Sequence, residues 1–159
     1  MASGKVATVL GPVDLDELGV TFTHEHFFID LSSSWFVKPQ NEPQRSQCME
    51  DVTIDKLWWI KRNPFGHYDN LRLNNYDDVK NEVMMFRDAG GRSVIDPTPK
   101  HLGGYPLLLK RLAVETGLNI LVGTAYYIAK SHPREVEGMT IDQLAAEIKN
   151  DLTNGIGGT

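Results

Sequence analysis

A parallel α/β sheet with helices packed outside it is the fold class this sequence predicts. Three observations carry the reading: short β-branched apolar runs alternate with segments of helical periodicity, the connections after residue 75 are short, and capping residues or glycines stand at the segment ends. Val6–Leu10 is the first strand candidate, closed by Gly11-Pro12 within an N-terminal strand and turn, residues 1–18. The second, Val20–Thr23, is β-branched and aromatic, follows Gly19 and runs into His24-Glu25-His26, so that 19–26 forms the first strand of the main sheet. Residues 27–75 read as a long loop, rich in Pro, Asn, Gln and Ser from about Ser32, and loops of that length are functional or partly structured. Within it Ile54–Lys61 predicts a short helix ending before Pro64, its Trp58 and Trp59 packing against something larger.

From residue 76 to 159 the pattern is regular. Asn75 is suited to cap a helix whose Tyr76, Val79, Val83 and Phe86 share one face, with Gly90 or Gly91 ending it in a left-handed conformation. Ser93–Ile95 is a buried strand stopped by Asp96-Pro97. Pro106 fits the first turn of a second helix through Leu109, Leu112 and Ala113 to Thr116, closed by Gly117 before the strand Leu118–Val122. Thr140 and Gln143 fit a capping box, with Met139 and Leu144 as its hydrophobic staple. Ile141, Leu144, Ala145, Ile148 and Leu152 form the apolar face of that third helix.

Composition narrows the functional classes. The chain has 159 residues, enough for one domain with a real core. Its 21 acidic against 16 basic residues, a formal net charge of -5, argue against nucleic acid or an anionic membrane as partner. No apolar run approaches the roughly 20 residues of a membrane-spanning helix, and the start lacks a secretory apolar region. Cys48 is the one cysteine, so no intrachain disulfide forms, and a reduced, cytoplasmic setting is expected.

The chemistry concentrates at His24 and His26. Two apart on a strand, they leave the same face with backbone positions roughly 6–7 Å apart. Their imidazoles converge from that separation on one ion held about 2.0–2.1 Å from each nitrogen. Glu25 points the other way and suits backbone partners. The pair ends its strand at the carboxyl end, where parallel α/β proteins gather their chemistry. Bare spacing leaves a second reading open, two inert hydrogen-bonded histidines at a sheet margin.

Gly19-Val20-Thr21-Phe22-Thr23-His24-Glu25-His26 resembles the first signature of the phosphotriesterase family, within the amidohydrolase superfamily. Thr116–Ile120 followed by Gly123-Thr124-Ala125-Tyr126-Tyr127 is a second match, and Trp58–Pro64 looks like the family's animal branch. The resemblance implies a (β/α)8 TIM barrel, here only its N-terminal part, with strands 1–3 at residues 20–26, 92–96 and 118–123. It implies one or two divalent metals, usually zinc, with His24 and His26 as two ligands. The bridging carboxylate, further histidines and catalytic aspartate are expected beyond Thr159, so the catalytic residues are unknown within this chain. It also implies hydrolysis, a metal-activated water attacking the amide or ester bond of a small N-acyl substrate such as N-acetyltaurine or an N-acyl amino acid. A phosphotriester or lactone hydrolase is the runner-up.

Because Asp151–Thr159 runs a helix into a Gly-rich loop, the chain is expected to be a piece of a longer hydrolase, inactive alone. The alternative is a short non-enzymatic product associating through its open sheet edge. Smaller expectations follow for single residues. Tyr127, after the third strand, is a candidate to line the substrate pocket, although packing its loop is the plainer role. Asp96 is expected chiefly to cap the turn before Pro97. His67, His101 and His132 are expected in solvent, and Cys48 in a polar loop without a basic neighbour to activate it. Gly104-Tyr105 and Ala125 depart from the family's pattern in the loops after the second and third strands.

Overall fold

The computed structural model describes residues 4–159. In chain order it contains strands β1 (Lys5–Thr8), β2 (Gly11–Asp14), β3 (Thr21–Phe22) and β4 (Ile29–Asp30), then single-turn helices α1 (Ser32–Trp35), α2 (Gln44–Gln47) and α3 (Leu57–Ile60). Strand β5 (Arg72–Leu73), helix α4 (Tyr76–Asp88), strand β6 (Ser93–Asp96), helix α5 (Pro106–Thr116), strand β7 (Asn119–Val122) and helix α6 (Ile141–Asn154) follow. Two compact units result: one joins the residues up to Phe28 with Asn75–Thr159, and the other is Ile29–Asn74.

The first unit is built on a parallel sheet in the order β3-β6-β7. Its register sets Thr21 against Ser93, then Ser93 against Asn119 and Asp96 against Val122. Helix α4 connects β3 to β6 and α5 connects β6 to β7, the strand–helix alternation read from the sequence. Asn75 caps α4 by accepting from the N–H groups of Asp77 and Asp78, a contribution of about 1 kcal/mol. Val79 and Val83 bury against Phe28, Val94, Leu109, Leu112, Leu118 and Ile120, with Tyr76 and Phe86 packed at the margin. Pro106 opens α5 and Gly117 ends it at φ 73°, a conformation free of cost only for glycine.

Two expectations are corrected here. Gly11-Pro12 does not close the first strand; it begins β2, which pairs antiparallel with β1. Proline is tolerated because a two-stranded edge makes no demand on its missing N–H. The hairpin also reaches the sheet, for Val9 N–H donates to Ile120 O at 2.9 Å, so one carbonyl on the outer edge of β7 is paired. Helix α6 keeps both bonds of its Thr140–Gln143 capping box, yet its apolar face is not buried. Ile141 is 84% and Leu152 57% exposed, while Asp151 is the buried residue. The polar side of α6 faces the loops after β6 and β7 instead. Among the described residues no helix is long and apolar enough to cross a membrane.

The second unit makes a small core out of a Pro- and Asn-rich stretch. Its ends pair as β4 and β5, where Arg72 Nε meets Asp30 Oδ2 at 3.2 Å. Val37 N–H donates to Phe65 O at 2.8 Å, drawing two distant segments together. Cys48, Trp59 and Ile60 form the core with Phe36 and Val52 beside them, whereas Trp58 is exposed. Cys48 is thus buried within its loop, its Sγ–H directed at Arg45 O. Lys56 is buried too, its Nζ bonded to Glu50 Oε2 and Asp51 O, both at 2.8 Å.

His67 is not in solvent. It is 0% exposed with its ring 5.5 Å from Trp59, and neither ring nitrogen has a hydrogen-bond partner among the described residues. Burial, followed by the positive charge of Lys56, holds its pKa below the ordinary imidazole value; Asp69, Glu50 and Asp51 oppose them. The unfolded chain therefore takes up a proton near pH 6.5 that the folded chain resists. Stability from neutral His67 is complete above that pH and lost progressively as pH falls from there through the lower pKa of the folded chain. Thermal midpoints measured between about pH 7.5 and 5 should fall on acidification, and His67→Phe should remove part of that slope. An unchanged slope in the variant contradicts the assignment.

Candidate functional site

His24 and His26 follow β3 directly, at the carboxyl end of the parallel sheet. The strand pairing carries on past β3, since Glu25 N–H donates to Ile95 O at 3.0 Å and fixes the backbone between the two histidines. The two rings lie 5.2 Å apart between centroids with their planes at 79°. His24 is exposed and His26 half-buried. The Glu25 side chain turns back on the backbone, Oε1 accepting from His26 N–H at 3.1 Å, as its position in the alternation predicts.

Beside this pair stands a buried carboxylate. Asp96, the last residue of β6, is 1% exposed and accepts from Thr98 N–H at 2.8 Å and from Phe27 N–H at 3.2 Å. Capping the turn at Pro97 is therefore only half its role, because Phe27 adjoins His26 in the segment after β3. Burial pushes the Asp96 carboxyl above its ordinary pKa, against hydrogen bonds from the Thr98 side chain and backbone, the Phe27 N–H and the nearby His26. Thr98, also 1% exposed, brings Oγ1 to 2.7 Å from His26 Nδ1.

A hydroxyl has one proton to give. Which of Thr98 Oγ1 and His26 Nδ1 donates depends on the tautomer of the ring; when Thr98 gives its proton to Asp96, Nδ1 donates and Nε2 keeps its lone pair. Imidazoles that ligate metals are oriented in this way, the other nitrogen held by a carboxylate or carbonyl. Thr98 is the residue that sequence reasoning missed: it lies 72 positions from His26, and its one local signal was the Asp-Pro-Thr turn after a strand. Gly104 makes room for it. A Cβ at Gly104 would sit 2.3 Å from Thr98 O, so no larger residue lets the loop close there.

The loops after β6 and β7 are tied to α6. Lys100 Nζ bonds Glu147 Oε1 at 3.1 Å and Asp151 Oδ2 at 3.2 Å. Thr124 Oγ1 donates to Asp151 Oδ2 at 2.6 Å, and Tyr126 OH to Glu147 Oε2 at 2.9 Å. His101 stacks on Tyr126 with centroids 5.4 Å apart, and His132 meets the same ring edge-on at 5.9 Å. Both histidines are half-buried aromatic packing groups, not the solvated side chains their Lys and Pro neighbours implied. Burial and then His132 lower the pKa of His101. Tyr127 is 61% exposed beside this cluster.

Three parallel strands joined through helices, with a histidine pair at their carboxyl end, define part of a β/α fold. The model of the phosphotriesterase family matches residues 4–159, and the chain belongs to that family. It is similar to N-acetyltaurine hydrolase of Rattus norvegicus, 35% identical over 158 residues, covering 99% of this chain and 45% of that protein. A phosphotriesterase-related protein of Nematostella vectensis is 33% identical, with 100% of this chain and 46% of that protein covered. Among solved structures, a resiniferatoxin-binding protein from Rhodobacter sphaeroides superposes with a TM-score of 0.91 at 34% identity, over 99% of this chain and 44% of that one. The phosphotriesterase homology protein of Escherichia coli gives 0.63 at 26% identity, over 91% and 39%. The fold is thus the N-terminal part of a TIM barrel, and the chain spans under half the length of the relatives it matches.

Ala125 replaces a glycine of the family's pattern, yet its φ is 98°, the left-handed side that L side chains avoid. Such a residue costs roughly 1–2 kcal/mol, of which glycine's extra freedom in the unfolded chain returns a part. Ala125→Gly should raise stability by about 0.5–1 kcal/mol in chemical denaturation. A loss of stability would show that this conformation carries no strain.

Proposed function

We propose that the chain supplies one side of the active site of a zinc-dependent hydrolase, with His24 and His26 as two of the metal's ligands. The observation that supports this is the contact of Thr98 Oγ1 with Nδ1 of His26 at 2.7 Å, the two histidine rings lying 5.2 Å apart between centroids. The donor set fits zinc, which takes neutral imidazole nitrogens. Among the described residues no group of three or more His, Cys, Asp or Glu is placed to hold an ion. The remaining ligands belong in this reading to the longer protein of the family. When bound, the ion would supply Lewis-acid activation of water and of the bond under attack.

The substrate class in this reading is a small N-acyl compound, N-acetyltaurine or an N-acyl amino acid, cleaved at its amide or ester-like bond. Its support is the name shared by relatives that match 99% of this chain at 34–35% identity. Asp96 and Thr98 orient His26. Gly104 keeps Thr98 in place, and Tyr127, exposed on the loop after β7, is placed to touch substrate.

Calorimetric titration with Zn2+ or Co2+ tests the ligand assignment. His24→Ala or His26→Ala should abolish binding, and Thr98→Val should weaken it about 10- to 100-fold, the range found when supports of metal ligands are removed. The 159-residue polypeptide alone should hydrolyse neither N-acetyltaurine nor a phosphotriester. Affinity undiminished in the histidine variants, or zinc-dependent turnover by the 159 residues, would sink this reading.

A further inference from the structure

The unit Ile29–Asn74 contains a cavity of about 660 Å3, within the size range of small-ligand sites. Its walls come from two segments, Val37–Gln44 and Trp59–Gly66, joined by the Val37 N–H to Phe65 O bond. Trp59 and Phe65 offer aromatic surface, and Val37, Pro39 and Pro64 add aliphatic surface. The polar lining consists of Lys38, Arg62 and four side-chain amides. No carboxylate lines it, although acidic residues outnumber basic ones in the chain, 21 to 16.

Several of these groups have donors to spare. Lys38 and Arg62 have no ion-pair partner among the described residues. Arg62 uses Nη1 on Trp58 O at 2.8 Å, which anchors the guanidinium and leaves its other N–H groups. Trp59 is 3% exposed, and its Nε1–H, which has no hydrogen-bond partner among the described residues, lies beneath the accessible surface, so the ring serves as wall. An unpaired buried donor is costly enough that native proteins seldom keep one without a partner.

We infer that this cavity binds a small organic anion: a carboxylate or sulfonate group met by Lys38 and Arg62, with an apolar body against Trp59 and Phe65. A guanidinium takes a planar or tetrahedral oxyanion through two parallel hydrogen bonds, and an ammonium adds charge without geometric demand. The aromatic walls exclude a bare inorganic ion as the best occupant, since they contribute only to a ligand with apolar area to bury. The site lies wholly within this unit and is independent of the metal assignment above.

The test uses nitrogen-15-labelled protein and the indole N–H signals of its three tryptophans, with Trp59→Phe identifying the one that belongs to Trp59. Benzoate and benzenesulfonate are titrated as probes, with neutral benzamide and chloride as controls. Either aromatic anion should move the Trp59 signal saturably. Benzamide and chloride should bind at least about tenfold more weakly. The double variant Lys38→Gln, Arg62→Gln should weaken the anions by a similar factor while its other amide signals keep their folded positions. A carboxylate preference over sulfonate, or the reverse, would identify the headgroup and support the site in either case. No saturable shift, equal binding of benzamide, equal binding of chloride, or undiminished binding in the folded double variant would each overturn it.

Discussion

A buried carboxylate at the end of β6 is the constraint on which the candidate site depends. Asp96 has almost no contact with water, so its oxygens must be met by protein donors, and an unmet one would cost about 1–3 kcal/mol. Phe27 N–H meets it from the segment after β3, and Thr98 from its own loop. The residue that satisfies Asp96 therefore also fixes the position of the hydroxyl that reaches His26. Satisfying a buried charge and orienting a histidine become one structural event.

This coupling explains why substitutions distant from the histidines bear on them. Gly104 contacts neither ring, yet a side chain there would collide with Thr98 O. Lys100, two residues beyond Thr98, is bonded to Glu147 and Asp151 of α6, so the helix braces the loop from which Thr98 projects. Helix α6 makes these polar bonds from one side, while Ile141 and Leu152 stand exposed. The loop after β7 is held by the same two carboxylates through Thr124 and Tyr126.

Local rules made much of the fold legible. Asn75, Pro106, Gly117 and the Thr140–Gln143 pair each mark a helix end by a bond or torsion within a few residues, and all four act in the structure as the sequence predicts. The parallel sheet followed from the alternation of these helices with apolar strands. What escaped the sequence is what depends on distant partners. A helix-period stripe shows which face is apolar but not which distant residues the polar face meets, and in α6 these are Lys100, Thr124 and Tyr126. His67 looked solvated because its neighbours are polar, yet Trp59 and Ile60 supply a core that composition conceals. In the site, His24 and His26 were visible as a local pattern, whereas Thr98 depended on a contact 72 positions away.

The central claim is that the Asp96–Thr98 pair fixes which nitrogen of His26 bears the proton. Long-range nitrogen-15 NMR correlations of the metal-free protein at neutral pH read this directly. The account predicts the Nδ1–H tautomer for His26, with Nε2 unprotonated. An Nε2–H tautomer would mean that Thr98 donates to the ring and that His26 is not prepared to hold a metal, and it would contradict the account.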